Sequence, residues 1–497
     1  MRRESAAAAF LPSIDRASPI PIARQLYLRL REAVLAGTVS PGHRLPSTRR
    51  ASEEWRLSRG LIADAYEMLI AEGYAIGRHG SGTYVATGLP AVASGASAQF
   101  GEKEGQPVRN ISVMAAEALR VPISLPQLPQ VAFVTGRVIH DTRTSRLLER
   151  IASRHIHYSR DGYDSAQGDA GLRSAIAAHV TASRGVRCDA SQVFVTSGAQ
   201  QAIYLTIRVL MSPGDTVILE DPCYPPARRA FVLNGARVIG APVDKNGLVT
   251  ETLVEHKMFS PAVIYVTPSH QYPDGSALPL TRRLQLLAFA RDTQCWIIED
   301  DYDSEFRYEG HPIASLQGLD TENRVIYIGT FSKAILPGLR VGYVIVPPDL
   351  VPAFSAVRPM LDRFPPSFQQ RVIADFLNEG YFPAHLRRLR ESYRASRDML
   401  VDLLQHRLSD HLIVEPPEQG IHLTARSTGT WKNDKQFSEC AHQKGVIVIP
   451  VSPMYISAPT QDKLILGFSG LSEQEADVGT RLLVKAFSTN AKKSVST

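Results

Sequence analysis

Six stretches of the chain are near-continuous apolar runs: VFVTSG (193–198), TVILED (216–221), AVIYVTP (262–268), CWIIEDD (295–301), RVIYIGT (324–330) and VGYVIVP (341–347). They are separated by stretches with helical spacing. Strands that read this way are covered on both faces, so the pattern predicts a parallel α/β sheet with helices on either side. Residues 430–490 add two more strand-like runs, VIVIPV and LILGF, and an amphipathic helix, which predicts a smaller α+β lobe. The N-terminal part has a different rhythm. Ile22, Leu26, Leu30 and Val34 fall on one helical face, and Gly37 ends that helix. Pro46-Ser47-Thr48-Arg49-Arg50 is a capped start for a short helix through Trp55. Ser58 is the N-cap of a third helix that turns Ile62, Ala65, Tyr66 and Leu69 inward. YAIGRHGSGTYV (74–85) then reads as two short strands around a glycine-rich hairpin.

Between these parts, residues 88–110 (GLPAVASGASAQFGEKEGQPVRN) have linker composition and no periodicity. The expected organisation is therefore a small helical domain with a wing at 15–87, a flexible linker at 88–120 and an α/β body at 121–490. At 497 residues the chain is too long for one core. With 44% hydrophobic and 21% charged residues it lies far from disordered composition. The run from Ala6 to Ala9 is too short for a signal-peptide core, and no stretch has the length of a membrane helix, so a cytoplasmic protein is expected. Four scattered cysteines without a CxxC give neither a disulfide framework nor a metal site.

Charge sharpens the reading of the first domain. Residues 1–86 hold twelve arginines, no lysine and eight carboxylates, a net of +4, against +2 for the other 411 residues. A basic end on a near-neutral body suits a nucleic-acid partner or simply solubility. The helix-turn-helix pattern places Ser58 and Arg59 at the exposed start of its second helix, where base edges and phosphates are met, and Arg78 and His79 on a wing that can reach the backbone or minor groove. The string GHRLPSTRR…LSRGLIADAYEMLIAEGYAIGRHGSGTYV resembles the winged-helix DNA-binding domain of the GntR family. The resemblance implies that Arg49, Arg59 and the wing around Gly80 contact DNA.

In the body, Lys333 follows a strand in GTFSK (329–333), with Arg340 in LRVG (339–342) close behind. An amine so placed can form a Schiff base with an aldehyde whose phosphate needs donors. EDDYDSEF (299–306) also ends a buried strand, where a carboxylate can pair with a protonated pyridine nitrogen and a tyrosine hydroxyl with a phenolic oxygen. TSGAQ (196–200) runs from strand into helix and suits a phosphate. Tyr224 in DPCYP (221–225) can stack on a ring.

Taken together, residues from about 120 to 490 resemble a fold-type I aminotransferase, and the fusion resembles the MocR subfamily of GntR regulators, which includes PdxR-type regulators. By that resemblance Lys333 binds pyridoxal 5′-phosphate covalently and Asp300, rather than its neighbour Asp301, pairs with the pyridine nitrogen. Tyr302 bonds the ring hydroxyl, Tyr224 stacks, and Ser197, Gly198, Ala199, Thr330, Ser332 and Arg340 hold the phosphate. VTPSHQYPDG (266–275) lines the pocket near Ser269 and His270, with His270 either at the ligand or simply packed. Arg228 is either an anion contact or a surface residue. The resemblance also implies a head-to-tail, domain-swapped homodimer on paired DNA half-sites.

One departure stands out. In LILGF (464–468) Ile465 occupies the place where aminotransferases carry the arginine that grips the substrate carboxylate, unless Arg426 takes that role. Losing a charge-assisted pair costs about 1.5–3 kcal/mol. The expected function is therefore a transcription regulator that uses its aminotransferase-like domain for sensing, with pyridoxal phosphate itself as effector and vitamin B6 synthesis or salvage as target. The alternatives are a regulator that responds to an amino acid or other amine, and an active aminotransferase with a DNA-binding appendage.

Overall fold

The computed structural model describes residues 13–87, 110–120, 131–139, 141–156, 164–429 and 431–494. The chain divides at residues 110 and 111 into two compact units.

The first unit contains helices α1 (Ile22–Leu35), α2 (Thr48–Trp55) and α3 (Arg59–Ala71), then strands β1 (Ala75–Arg78) and β2 (Gly82–Val85). Leu26, Tyr27 and Leu30 of α1 pack on Ile62, Ala65, Tyr66 and Leu69 of α3, so the apolar stripes of the sequence form one core. Ser47 caps α2 by accepting from the Arg50 amide at 3.3 Å. Ser58 caps α3 by accepting from the Leu61 amide at 3.4 Å. Strands β1 and β2 pair antiparallel around Gly80, whose φ of +69° suits a residue without Cβ. Residues 42–45 bond to β2 through the Leu45 amide and the Thr83 carbonyl at 2.8 Å, adding a third layer of chain to the wing.

The second unit is built on an eight-stranded sheet. Its order is Val193–Thr196, Gly342–Ile345, Val325–Thr330, Trp296–Asp301, Val263–Val266, Thr216–Asp221, Arg237–Asp244 and Gly247–Leu248. All six apolar runs are strands in it. The sheet is mixed rather than parallel: Gly342–Ile345 runs antiparallel to both its neighbours, and Gly247–Leu248 is antiparallel to its own. The physical reason lies in the connections. Val325–Thr330 and Gly342–Ile345 are joined by a short turn through Pro337–Leu339 with no crossover helix, and such a connection returns the chain antiparallel. The strand Arg237–Asp244 escapes the hydrophobic pattern because it is only partly buried and contains Gly240 and Pro242.

A four-stranded antiparallel sheet forms the smaller lobe, with Leu412–Ile413, His422–Ser427, Lys463–Gly467 and Ile449–Pro450 in that order. Residues 113–120, expected within the linker, form a helix in the second unit. It docks on helix Pro225–Leu233, where Arg229 donates to the Ala118 carbonyl at 2.7 Å. No helix among the described residues is long and apolar enough to cross a membrane.

Candidate functional site

On the first unit, the start of α3 exposes Ser58, Arg59 and Gly60, as the cap predicts. Arg49 on α2 has an 80% exposed side chain and makes an i,i+4 pair with Glu53 at 3.6 Å. Arg78 lies over the Tyr84 ring at 4.8 Å, and His79 and Gly80 form the exposed tip of the wing. Sequence reasoning missed Arg44. Its guanidinium packs so closely on the wing that a Cβ at Gly82 would stand 3.0 Å from Nε. The signal was available, because Arg44 lies in the GHRLP turn.

In the second unit, the parallel strands Trp296–Asp301 and Val325–Thr330 end side by side, with Ile328 opposite Asp300 and Gly329 opposite Asp301. Ligand chemistry in such sheets belongs at the carboxyl ends of the strands. Successive side chains on a strand leave on opposite faces, so the two aspartates separate. Asp301 is tied into the interior: Arg184 pairs with it at 2.8 Å, and the Tyr327 hydroxyl donates to it. Asp300 accepts a single hydrogen bond at Oδ2, from the Tyr265 hydroxyl at 2.6 Å. Its Oδ1 is buried and has no partner among the described residues. Burial pushes the Asp300 carboxyl up to about 7, against the Tyr265 hydrogen bond and with the help of the charges of Asp301 and Asp303. Such a carboxylate is made to receive one more donor or cation.

Lys333 sits just past the neighbouring strand. The chain crosses closely over its amine at Gly136, where a Cβ would stand 2.1 Å from Nζ, and Gly136 also has a φ of +86°. Burial lowers the Lys333 pKa, Asp303 raises it and Arg340 lowers it again, with a net effect below the ordinary lysine value. More of the neutral, nucleophilic amine is therefore present near neutral pH.

Anion donors gather at the start of helix Ala199–Leu210. Gly198, its N-cap, has a φ of +83°, and the first amides of the helix have no intrahelical acceptor. Arg340 donates to the Ser197 carbonyl at 2.7 Å, and its guanidinium lies 3.0 Å from where a Gly198 Cβ would be. The Ser197 amide is already used by Gln201 at 2.7 Å. Thr330 and Ser332 are buried, with their hydroxyls 3.0 Å apart.

Of the remaining predicted residues, His270 and Tyr224 lie around Tyr302. Its hydroxyl lies 2.9 Å from His270 Nδ1, the same nitrogen that meets Asp303 at 2.9 Å. His270 is fully enclosed: a Cβ on Gly420 would stand 2.0 Å from its Cε1. Ser269 is buried and accepts from Arg184 at 2.6 Å, so it serves the Asp301 side of the network. Tyr224 meets Tyr272 edge to face at 5.3 Å, and Tyr272 meets Tyr302 at 6.0 Å. Ile465 is buried in the same aromatic cluster. The alternative carboxylate grip, Arg426, is not brought to the site; it is half exposed and pairs with Glu415 at 3.2 Å. Arg228 donates to the carbonyls of Tyr455 at 2.7 Å and Pro453 at 3.0 Å, which fastens the segment around Met454. Tyr265, Arg184, Asp303 and Gly136 are the members of this site that the sequence left unmarked.

Paired parallel strand ends, a lysine just past one of them and a buried carboxylate at the other, beside a glycine-led helix N-terminus, are the arrangement of a vitamin-B6-dependent enzyme fold, here on a chain that also carries a winged helix. Residues 22–85 match the family described as bacterial regulatory proteins, gntR family, and residues 135–480 match aminotransferase class I and II. The chain is 36% identical over 477 residues to the probable rhizopine catabolism regulatory protein MocR of Rhizobium meliloti, covering 95% of each chain. It is 33% identical over 387 residues to the pyridoxine biosynthesis transcriptional regulator PdxR of Corynebacterium glutamicum, covering 78% of this chain and 79% of that one. Among solved structures it is similar to the Pyrococcus horikoshii kynurenine aminotransferase in complex with PMP, with a TM-score of 0.66, 27% identity, and coverage of 72% of this chain and 91% of that one. The chain belongs to the MocR-type transcription regulators of the GntR family, in which a helix-turn-helix domain is joined to a fold-type I aminotransferase domain.

Proposed function

We propose that this regulator binds pyridoxal 5′-phosphate on Lys333 and uses its occupancy to adjust how the winged helices hold DNA, in the cytoplasm and as a head-to-tail homodimer on paired half-sites. The observation that carries the reading is the buried Asp300 oxygen without a partner, at the end of the strand beside the one that delivers Lys333. In this reading Asp300 holds the proton on the pyridine nitrogen, and Tyr302, oriented by His270, bonds the ring hydroxyl. Tyr224 covers the ring. Ser197, Gly198, Ala199, Thr330, Ser332 and Arg340 take the phosphate. Bound there, the cofactor supplies an aldehyde carbon that captures primary amines. Arg49, Ser58, Arg59, Arg78, His79 and Gly80 face the DNA. The domain serves sensing rather than turnover, since Ile465 stands in place of a carboxylate grip. Similarity to a pyridoxine biosynthesis regulator favours vitamin B6 supply as the controlled process.

The test is to add pyridoxal phosphate to the full chain, follow the absorption of the protein-bound cofactor, trap it by borohydride reduction and map the labelled peptide. Label on Lys333, and none in Lys333→Ala, is the expected result. Label spread over other lysines contradicts the reading.

A further inference from the structure

The surroundings of Ile465 carry information about the ligand. Resting on the reading that Lys333 holds pyridoxal phosphate, we propose that the amine captured at this site has no carboxylate beside its nitrogen and presents an uncharged body to a wall of aromatic rings.

Ile465 lies mid-strand in Lys463–Gly467 and is completely buried. It clusters with Tyr272, Val451 and Met454, and Tyr224 and Tyr302 pack on the same cluster. Those two tyrosines are the rings assigned to the cofactor, so the cluster is the wall beside it. The three tyrosines meet edge to face, at 5.3 Å and 79° for Tyr224 with Tyr272, and 6.0 Å and 80° for Tyr272 with Tyr302. Among the described residues this cluster offers ring surface, aliphatic side chains and a few hydroxyls, and holds no lysine or arginine. A carboxylate brought there needs fixed donors to replace its water. Three cations on adjoining segments are committed elsewhere, and Arg340 is assigned to the phosphate. Lys463, two residues before Ile465 on the strand, is held by both oxygens of Asp274 at 3.0 Å. Arg228 is bonded to two carbonyls, and Arg137 to Glu475 at 2.9 Å.

The exchange needs no further reagent. With the cofactor held on Lys333, an incoming ammonium would give up three protons as its nitrogen took the place of Nζ, and Nζ would take up three. One C=N bond would replace another, and Lys333 would be released as an ammonium, so atoms and charge balance.

The experiment titrates the full chain, loaded with pyridoxal phosphate, with matched pairs: tyramine against tyrosine, and phenethylamine against phenylalanine. The readout is the cofactor's absorption band. Each amine is expected to bind at least about tenfold more tightly than its amino acid. Ile465→Arg is expected to narrow or reverse that ratio. Ile465→Gln, which adds donors without a charge and is easier to accommodate, moves it the same way by less. Equal or tighter binding of the amino acids by the wild type overturns the inference, and so does a loaded protein whose band neither member of a pair shifts. A chain that never forms the band fails the cofactor reading, and this inference with it.

Discussion

Two adjacent carboxylates, Asp300 and Asp301, have opposite environments because a strand sends neighbours to opposite faces. Asp301 is satisfied by Arg184 and Tyr327, whereas Asp300 keeps one buried oxygen that has no partner among the described residues. In the cofactor-free protein this has a pH signature. The folded-state value for Asp300 is raised to about 7, chiefly by burial, above that of an unfolded aspartate. A raised carboxyl contributes stability that is present in acid and lost as pH rises through the folded value. Urea midpoints of the cofactor-free protein measured at pH 5 and pH 8 should therefore fall less for Asp300→Asn than for the wild type. Glu220, Glu299 and Glu305 are raised to about 7 as well, so the difference between the two proteins is the quantity to read. Equal falls contradict the assignment. At this scale the sequence was partly legible. Asp300, Tyr302 and Lys333 sit in motifs, but Tyr265 and Arg184 meet the aspartates from 35 and 117 residues away, and only folding brings them there. Tyr265 did leave a trace: a tyrosine inside a buried strand must find a partner for its hydroxyl.

Among the elements, the turn proposed for the phosphate depends on two glycines that bring two segments together. A Cβ on Gly342 would stand 2.7 Å from Gly198 Cα, and backbone on both sides leaves little room to yield. Gly342→Ala should cost about 1–3 kcal/mol of stability by overpacking and weaken pyridoxal phosphate binding more than it weakens folding. Thermal unfolding with and without cofactor checks this, and an unchanged cofactor affinity would exclude the turn as the phosphate site. On the other unit, α3 presents Arg59 at its exposed start. Arg59→Ala should weaken DNA binding, and if Arg59 meets a phosphate the slope of log K against log salt should fall by about one. Loss of sequence preference at unchanged slope would mean base contact instead. The strands were legible because doubly covered strands are apolar throughout, as Ile297 and Ile298 are. Their direction was not, since an apolar run looks the same either way along the sheet. The helix at 113–120 was hidden because it follows directly on a stretch of linker composition and was counted with it.

For the molecule as a whole, the two units have separate cores, and each carries a site that makes sense alone. The functional link proposed between them is thermodynamic. If cofactor occupancy favours one arrangement of the proposed dimer, cofactor and DNA must change each other's affinity by the same factor, typically about 5–150-fold. The measurement that tests this most directly is DNA binding by the cofactor-free full chain to its own upstream region, titrated with pyridoxal phosphate, beside Lys333→Ala. The account predicts a shift in affinity or footprint for the wild type and none for the variant. Unchanged affinity and footprint, with the absorption band showing the cofactor bound, would contradict it.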